Sequence, residues 1–127
     1  MIPGRLIDSL DQMLEAAGLA CSYVEGMSRE AFFADKRTQQ AVIMNLLLIG
    51  EAATLLLRDH ADVVGAHADV PWRNMKGMRN RIAHSYFDIN LEVVWETVRS
   101  ALPDLISHLP AIRDGIAGNE PMAPGEG

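Results

Sequence analysis

The sequence predicts an all-α domain, an antiparallel bundle of four to five helices with a flexible C-terminal tail. Apolar residues recur at i, i+3 and i+4 in four successive segments, each spacing marking one buried helical stripe. No stretch alternates apolar and polar residues, and no hairpin turn signal competes. The breaks between segments are short and carry glycine, proline or a capping residue, which suits antiparallel neighbours. At 127 residues and 49% hydrophobic content, the chain can bury one core. Residues 1–117 are read as the domain and 118–127, rich in Gly and Pro, as a tail.

The first helix is expected from Pro3 to about Glu25, with Leu6, Leu10, Met13, Leu14 and Ala17 as its stripe and Gly26 as its stop. Ser28 should cap a short turn or helix containing Phe32 and Phe33. The second long helix is expected from Asp35 to Arg58, with Asp35 or Thr38 as cap. Val42, Leu46, Ile49, Ala53 and Leu56 form one face, which Ile43, Leu47, Gly50 and Leu57 widen. A band this broad implies several neighbours or a second subunit. His60–Val70 reads as a loop. A third helix follows from Pro71 to His84 or Tyr86. Asn90 caps a fourth, striped by Leu91, Val94, Trp95, Val98, Leu102 and Leu105. Pro103 should kink that helix or start a new turn, because it has no N–H to give the preceding turn.

Other features exclude whole classes. The single cysteine, Cys21, allows neither an intramolecular disulfide nor a cysteine-rich zinc site, and its apolar neighbours suggest a buried thiol in a reducing cytosol. His60, His67 and His108 lack ligand spacing with carboxylates, so no metal site and no cofactor are expected. Asp8 and Asp11 interrupt any secretory apolar core. The apolar run Ala41–Leu57 is broken by Asn45 and Glu51 and is short for a membrane span, so it is read as a core helix and the protein as cytoplasmic.

The net charge of −6 argues against a general nucleic-acid coat. Its distribution is less even than its sum. Between Pro71 and Phe87 lie Arg73, Lys76, Arg79 and Arg81 with no carboxylate, whereas the remainder holds 7 basic and 17 acidic residues. Such a segment is either a solvated helix face or a local anion site in which Arg73, Lys76 and Arg81 would bind phosphates.

That segment carries the candidate chemistry. On an ideal helix Arg73, Gly77, Asn80 and His84 line one face, and Trp72, Met75, Met78 and Ile82 another, apolar one. Asn80, one turn before His84, is placed to orient its ring. Glu51 is expected to face the bundle interior near this helix. Gly77 costs roughly 1 kcal/mol relative to alanine in mid-helix and leaves room for another backbone or a second copy. Histidine moves protons near neutral pH, and arginine grips phosphate through paired hydrogen bonds. Together they suffice for RNA cleavage without a metal, the imidazole activating a ribose 2′-hydroxyl and the guanidinium stabilising charge on the phosphate. Structural roles are equally open to these residues: a favourable helix C-terminal charge for His84, an ion pair with Glu51 for Arg79, and a core ring with a wet hydroxyl for Tyr86.

The longer string PWRNMKGMRNRIAHSYFDINLEVVWETV, with LLLIGEAATLL around Gly50 and Glu51, resembles the HepT-like family of HEPN-domain proteins. The resemblance extends from the first helix to about Leu109. It implies a HEPN bundle that forms a homodimer, and an RNase toxin with an Arg-x4-His-x-Tyr motif. Arg79, His84 and Tyr86 match that motif without departure. It implies that Arg79 and His84 are catalytic, that Asn80 is their polar companion, and that two copies of the basic segment line one RNA groove; Glu51 is read as a supporting partner of Arg79. The implied antitoxin is MntA, a minimal nucleotidyltransferase that AMPylates the motif tyrosine, here Tyr86. Two other readings stay open at this point. One is a non-catalytic helical module that docks a nucleotidyltransferase and presents its substrate; the other is a dimerisation protein without a ligand.

Overall fold

The computed structural model describes residues 3–118. Among them it is all helical, and its elements follow the predicted order with two additions. Helix α1 (Pro3–Tyr23) ends before Gly26, whose φ of 78° lies in the left-handed region that glycine adopts without strain. Helix α2 (Arg29–Phe33) is capped by Ser28, whose hydroxyl accepts from the Ala31 N–H. Its C-terminal carbonyls of Phe32 and Phe33 accept from Gln39 Nε2 at 2.9 and 3.0 Å, so this short helix leaves few orphan groups. Phe32 is fully buried and tilts against Trp95, pinning α2 over the bundle.

Helix α3 (Lys36–Asp59) is the central rod. Asp35 caps it by accepting from the Thr38 N–H and hydroxyl, which holds the Asp35 carboxyl below the usual carboxylate range. Val42, Ile43, Leu46, Ile49, Ala52, Ala53 and Leu56 are buried, with α1 packed on one side and α5 (Trp72–Ser85) on the other. At 24 residues α3 is long and apolar enough to cross a membrane, contrary to the length argument made from the apolar run alone. Half of its most apolar window is buried by neighbouring helices, and this supports the core-helix reading.

The expected loop after His60 instead contains α4 (Ala61–Ala66). Asp62 lies in its first turn, where the helix dipole favours a carboxylate, and Val63 and Val64 are partly buried against the core. Trp72 opens α5, buried and donating from Nε1 to the His67 carbonyl at 2.9 Å. A single 3-10 turn (Tyr86–Asp88) follows α5.

Helix α6 (Leu91–Glu96) is capped by Asn90 Oδ1, which accepts from the N–H groups of Glu92 and Val93. It runs through a π turn (Thr97–Ala101) into α7 (Leu102–Gly118), which packs along α1. The π turn is how the fold accommodates Pro103, in place of the expected kink or new start. The Leu102 N–H reaches back to the Thr97 carbonyl, and in that register Pro103 has no N–H for the Val98 carbonyl. The Cys21 thiol donates to that carbonyl at 3.6 Å. Burial pushes the Cys21 thiol pKa up, which suits an inert role; the residue is half-buried rather than fully enclosed. Helix α7 runs to Gly118, the last described residue. Of the expected tail, 119–127 lie outside the described residues.

Candidate functional site

Helix α5 carries the candidate site, and its seat on α3 is unusually close. A Cβ added to Gly50 would lie 2.7 Å from the Met75 carbonyl oxygen and 3.2 Å from Arg79 Cα. Glycine therefore lets the two backbones approach where Arg79 begins. The next residue, Glu51, uses that approach: its Oε1 accepts from Arg79 Nε. Arg79 Nη1 donates to Asn80 Oδ1 at 3.0 Å. The guanidinium is thus fixed along two edges while its side chain stays 30% exposed.

Three sequence expectations change here. Asn80 partners Arg79, not the imidazole of His84. Glu51 does not face the interior: its side chain is 49% exposed at the rim of the α3–α5 seam. Close backbone approach occurs at Gly50, whereas a Cβ on Gly77 would meet only Arg81 Nη1, at 4.0 Å. The predicted anchor of α5 is present, with Trp72, Met78 and Ile82 buried and Met75 partly so.

His84 is exposed in the last turn of α5, and no hydrogen bond joins it to Arg79 among the described residues. Five residues of helix turn the two side chains about 140° apart, so Arg79 leans on α3 while His84 faces outward. Tyr86 is 39% exposed at the start of the 3-10 turn, with its ring edge-on to Phe87. Arg73, Lys76 and Arg81 are exposed, and none has an ion-pair partner among the described residues. Only Arg79 of the four cations is held by a carboxylate. Among the described residues no group of His, Cys, Asp and Glu converges as a metal site would require.

One groove flanks α5, and another lies across α3 from it. The first, of about 520 Å³, separates α5 from α6 and α7, with Leu46, Ile49 and Leu105 in its floor and Arg73 and Arg81 at its rim. The other, of about 350 Å³, runs between α1 and α3 and is lined by Leu19, Leu48 and Leu55, with Glu51 among its walls. Met44, 54% exposed, extends this second surface along α3 at the spacing of Leu48, Glu51 and Leu55. Met44, Leu48 and Leu55 lie outside the apolar band that the sequence marks on α3, and the bundle leaves them uncovered. Full exposure of Phe87, at 98%, was also missed; the segment read only as a break.

Comparison with known proteins identifies the family. The family model described as "Ribonuclease HepT-like" matches residues 13–112. A protein of Thermococcus cleftensis named "Probable ribonuclease HepT" is 35% identical over 106 residues, covering 84% of this chain and 94% of that protein. One from Methanocaldococcus jannaschii named "Putative RNase" is 33% identical over 91% of this chain and 89% of its own length. Another "Putative RNase", from Caldanaerobacter subterraneus subsp. tengcongensis, is 32% identical over 76% of this chain and 83% of its own. No solved structure matches the chain. A match over most of the bundle, including the seam that holds Arg79, shows that the chain belongs to the ribonuclease HepT-like family.

Proposed function

We propose that this protein is a metal-independent endoribonuclease, the toxin of a toxin–antitoxin pair, working as a homodimer in the cytoplasm. The observation that carries the reading is that one helix holds both a tethered guanidinium, Arg79, and an exposed imidazole, His84, inside a stretch free of carboxylates. His84 takes the proton from a ribose 2′-hydroxyl. The 2′-oxygen then attacks the adjacent phosphorus, and the bond to the 5′-oxygen breaks as that oxygen takes up a proton from solvent. Arg79 stabilises the charge on the non-bridging oxygens, and Glu51 and Asn80 keep its fork from turning. The products are a 2′,3′-cyclic phosphate and a 5′-hydroxyl, and DNA, lacking the 2′-hydroxyl, survives.

Dimerisation is supported by the uncovered stripe of Met44, Leu48 and Leu55, which meets Leu19 of α1 and includes Glu51. A second copy on this stripe would bring two Arg79–Glu51 pairs together and double the free cations Arg73, Lys76 and Arg81 around one cleft. That arrangement supports RNA binding by a chain of net charge −6. Regulation follows the family resemblance: an MntA-like nucleotidyltransferase AMPylates Tyr86, whose exposure supports access, and the added phosphates repel RNA beside His84.

The test is to incubate RNA in EDTA with wild type, His84→Ala and Arg79→Ala, with any modified Tyr86 first restored. Wild type should leave cyclic-phosphate ends, and each variant should fall by about 10²–10⁴-fold. An inert wild type would instead favour a non-catalytic docking module. Co-expression with an MntA-like nucleotidyltransferase should add adenylate mass to wild type and none to Tyr86→Phe.

A further inference from the structure

We propose that Phe87 is a base-stacking residue that makes the enzyme select unpaired RNA. This rests on the ribonuclease reading and extends it to the substrate. Phe87 is 98% exposed, whereas no other large apolar side chain among the described residues exceeds 54%. Its backbone is held at both ends. The 3-10 turn is closed by the Ile89 N–H on the Tyr86 carbonyl at 3.3 Å, Ile89 is anchored against the core, and Asn90 caps α6 immediately after. The ring is therefore presented from a fixed turn.

Its neighbours define what it would meet. The Tyr86 ring stands at 89° to it with centroids 5.6 Å apart, an edge contact that leaves Phe87 open to solvent. His84 lies three residues back, and the free cations Arg73, Lys76 and Arg81 lie on the helix that leads into the turn. An open aromatic face at the end of a helix that carries unpaired cations fits a nucleobase whose backbone phosphates run along α5. Bases within a duplex are stacked and offer no face to a side chain; splayed bases of single strands and loops do. Phe87 does not line the α1–α3 surface that supports dimerisation.

The experiment measures anisotropy of a labelled single-stranded RNA, and of its blunt duplex, with His84→Ala protein carrying Phe, Ala, Trp or Leu at position 87. Cleavage kinetics and sedimentation are run on the same substitutions with His84 intact. Phe87→Ala should weaken single-strand binding and raise KM by about ten-fold, with kcat within about two-fold and the preference over duplex lost. Phe87→Trp should restore binding, its indole fluorescence quenched by RNA and separable from the buried Trp72 and Trp95. Phe87→Leu should not restore it. Rescue by Leu equal to Trp, an altered sedimentation coefficient in Phe87→Ala, or equal affinity for duplex and single strand would overturn the proposal. If wild type cuts RNA and Phe87→Ala matches it, stacking alone fails. If wild type neither binds nor cuts RNA, both readings fail together.

Discussion

A methyl group on Gly50 is the smallest change that should displace the whole candidate site. Ordinary contact begins at 3.4 Å, and the added Cβ would sit 2.7 Å from the Met75 carbonyl oxygen. The Met75 contact alone needs a retreat of α5 by about 0.7 Å, and Arg79 Cβ, nearer still and as unable as the backbone to swing aside, needs more. Overpacking of this kind costs about 1–3 kcal/mol, and alanine's better helix propensity returns about 1 kcal/mol. Contacts this short put the cost in the upper half of that range, so the net is a loss of about 1–2 kcal/mol, or about 4–10 °C in Tm for a domain of this size. The same shift pulls Arg79 from Glu51, and misplacements approaching 1 Å lower catalytic rates by about 10–100-fold. Thermal melts and initial cleavage rates on a single-stranded RNA would measure both. Gly77→Ala is the control: with only Arg81 Nη1 at 4.0 Å, it should gain about 0.5–1 kcal/mol. A Gly50→Ala protein as stable and active as wild type would refute the argument that this seam positions the site.

Glu51→Ala should lower the cleavage rate about ten-fold with little change in Tm, because it frees a partly exposed guanidinium and opens no cavity; unchanged rates would show that Arg79 needs no tether. Cys21 should react with an alkylating reagent at pH 8 about ten-fold more slowly in the folded protein than in denaturant, since burial raises its pKa; equal rates would contradict its seat against Val98. The His108 pKa is raised by its hydrogen bond to the Asp104 carbonyl, then by the Asp104 and Asp69 carboxylates. Protonation is therefore favoured by folding, and that stability is fully present below the ordinary value of 6.5 and lost as pH rises through the raised one. The Tm advantage of wild type over His108→Gln should shrink from about pH 6 to about pH 8, and a gap that grows would reverse the assignment.

What was legible in the sequence is what depends on neighbours along the chain. The stripes of α1, α3, α5 and α6–α7, and the caps Ser28, Asp35 and Asn90, are set by residues within a turn of one another. The order of Arg79, His84 and Tyr86 is likewise written in one dimension, and so is the basic segment that surrounds them. The tertiary structure decided what depends on contacts remote in sequence. It turned Gly50 into the point of closest approach, gave Arg79 two partners, and drew Cys21 to the carbonyl that Pro103 leaves without a donor. It also decided which apolar residues remain uncovered, since periodicity marks a face without saying what will lie on it. Phe87 shows the limit: its chemistry is plain in the sequence, but its exposure depends on how a 3-10 turn and a capped helix carry it clear of the core.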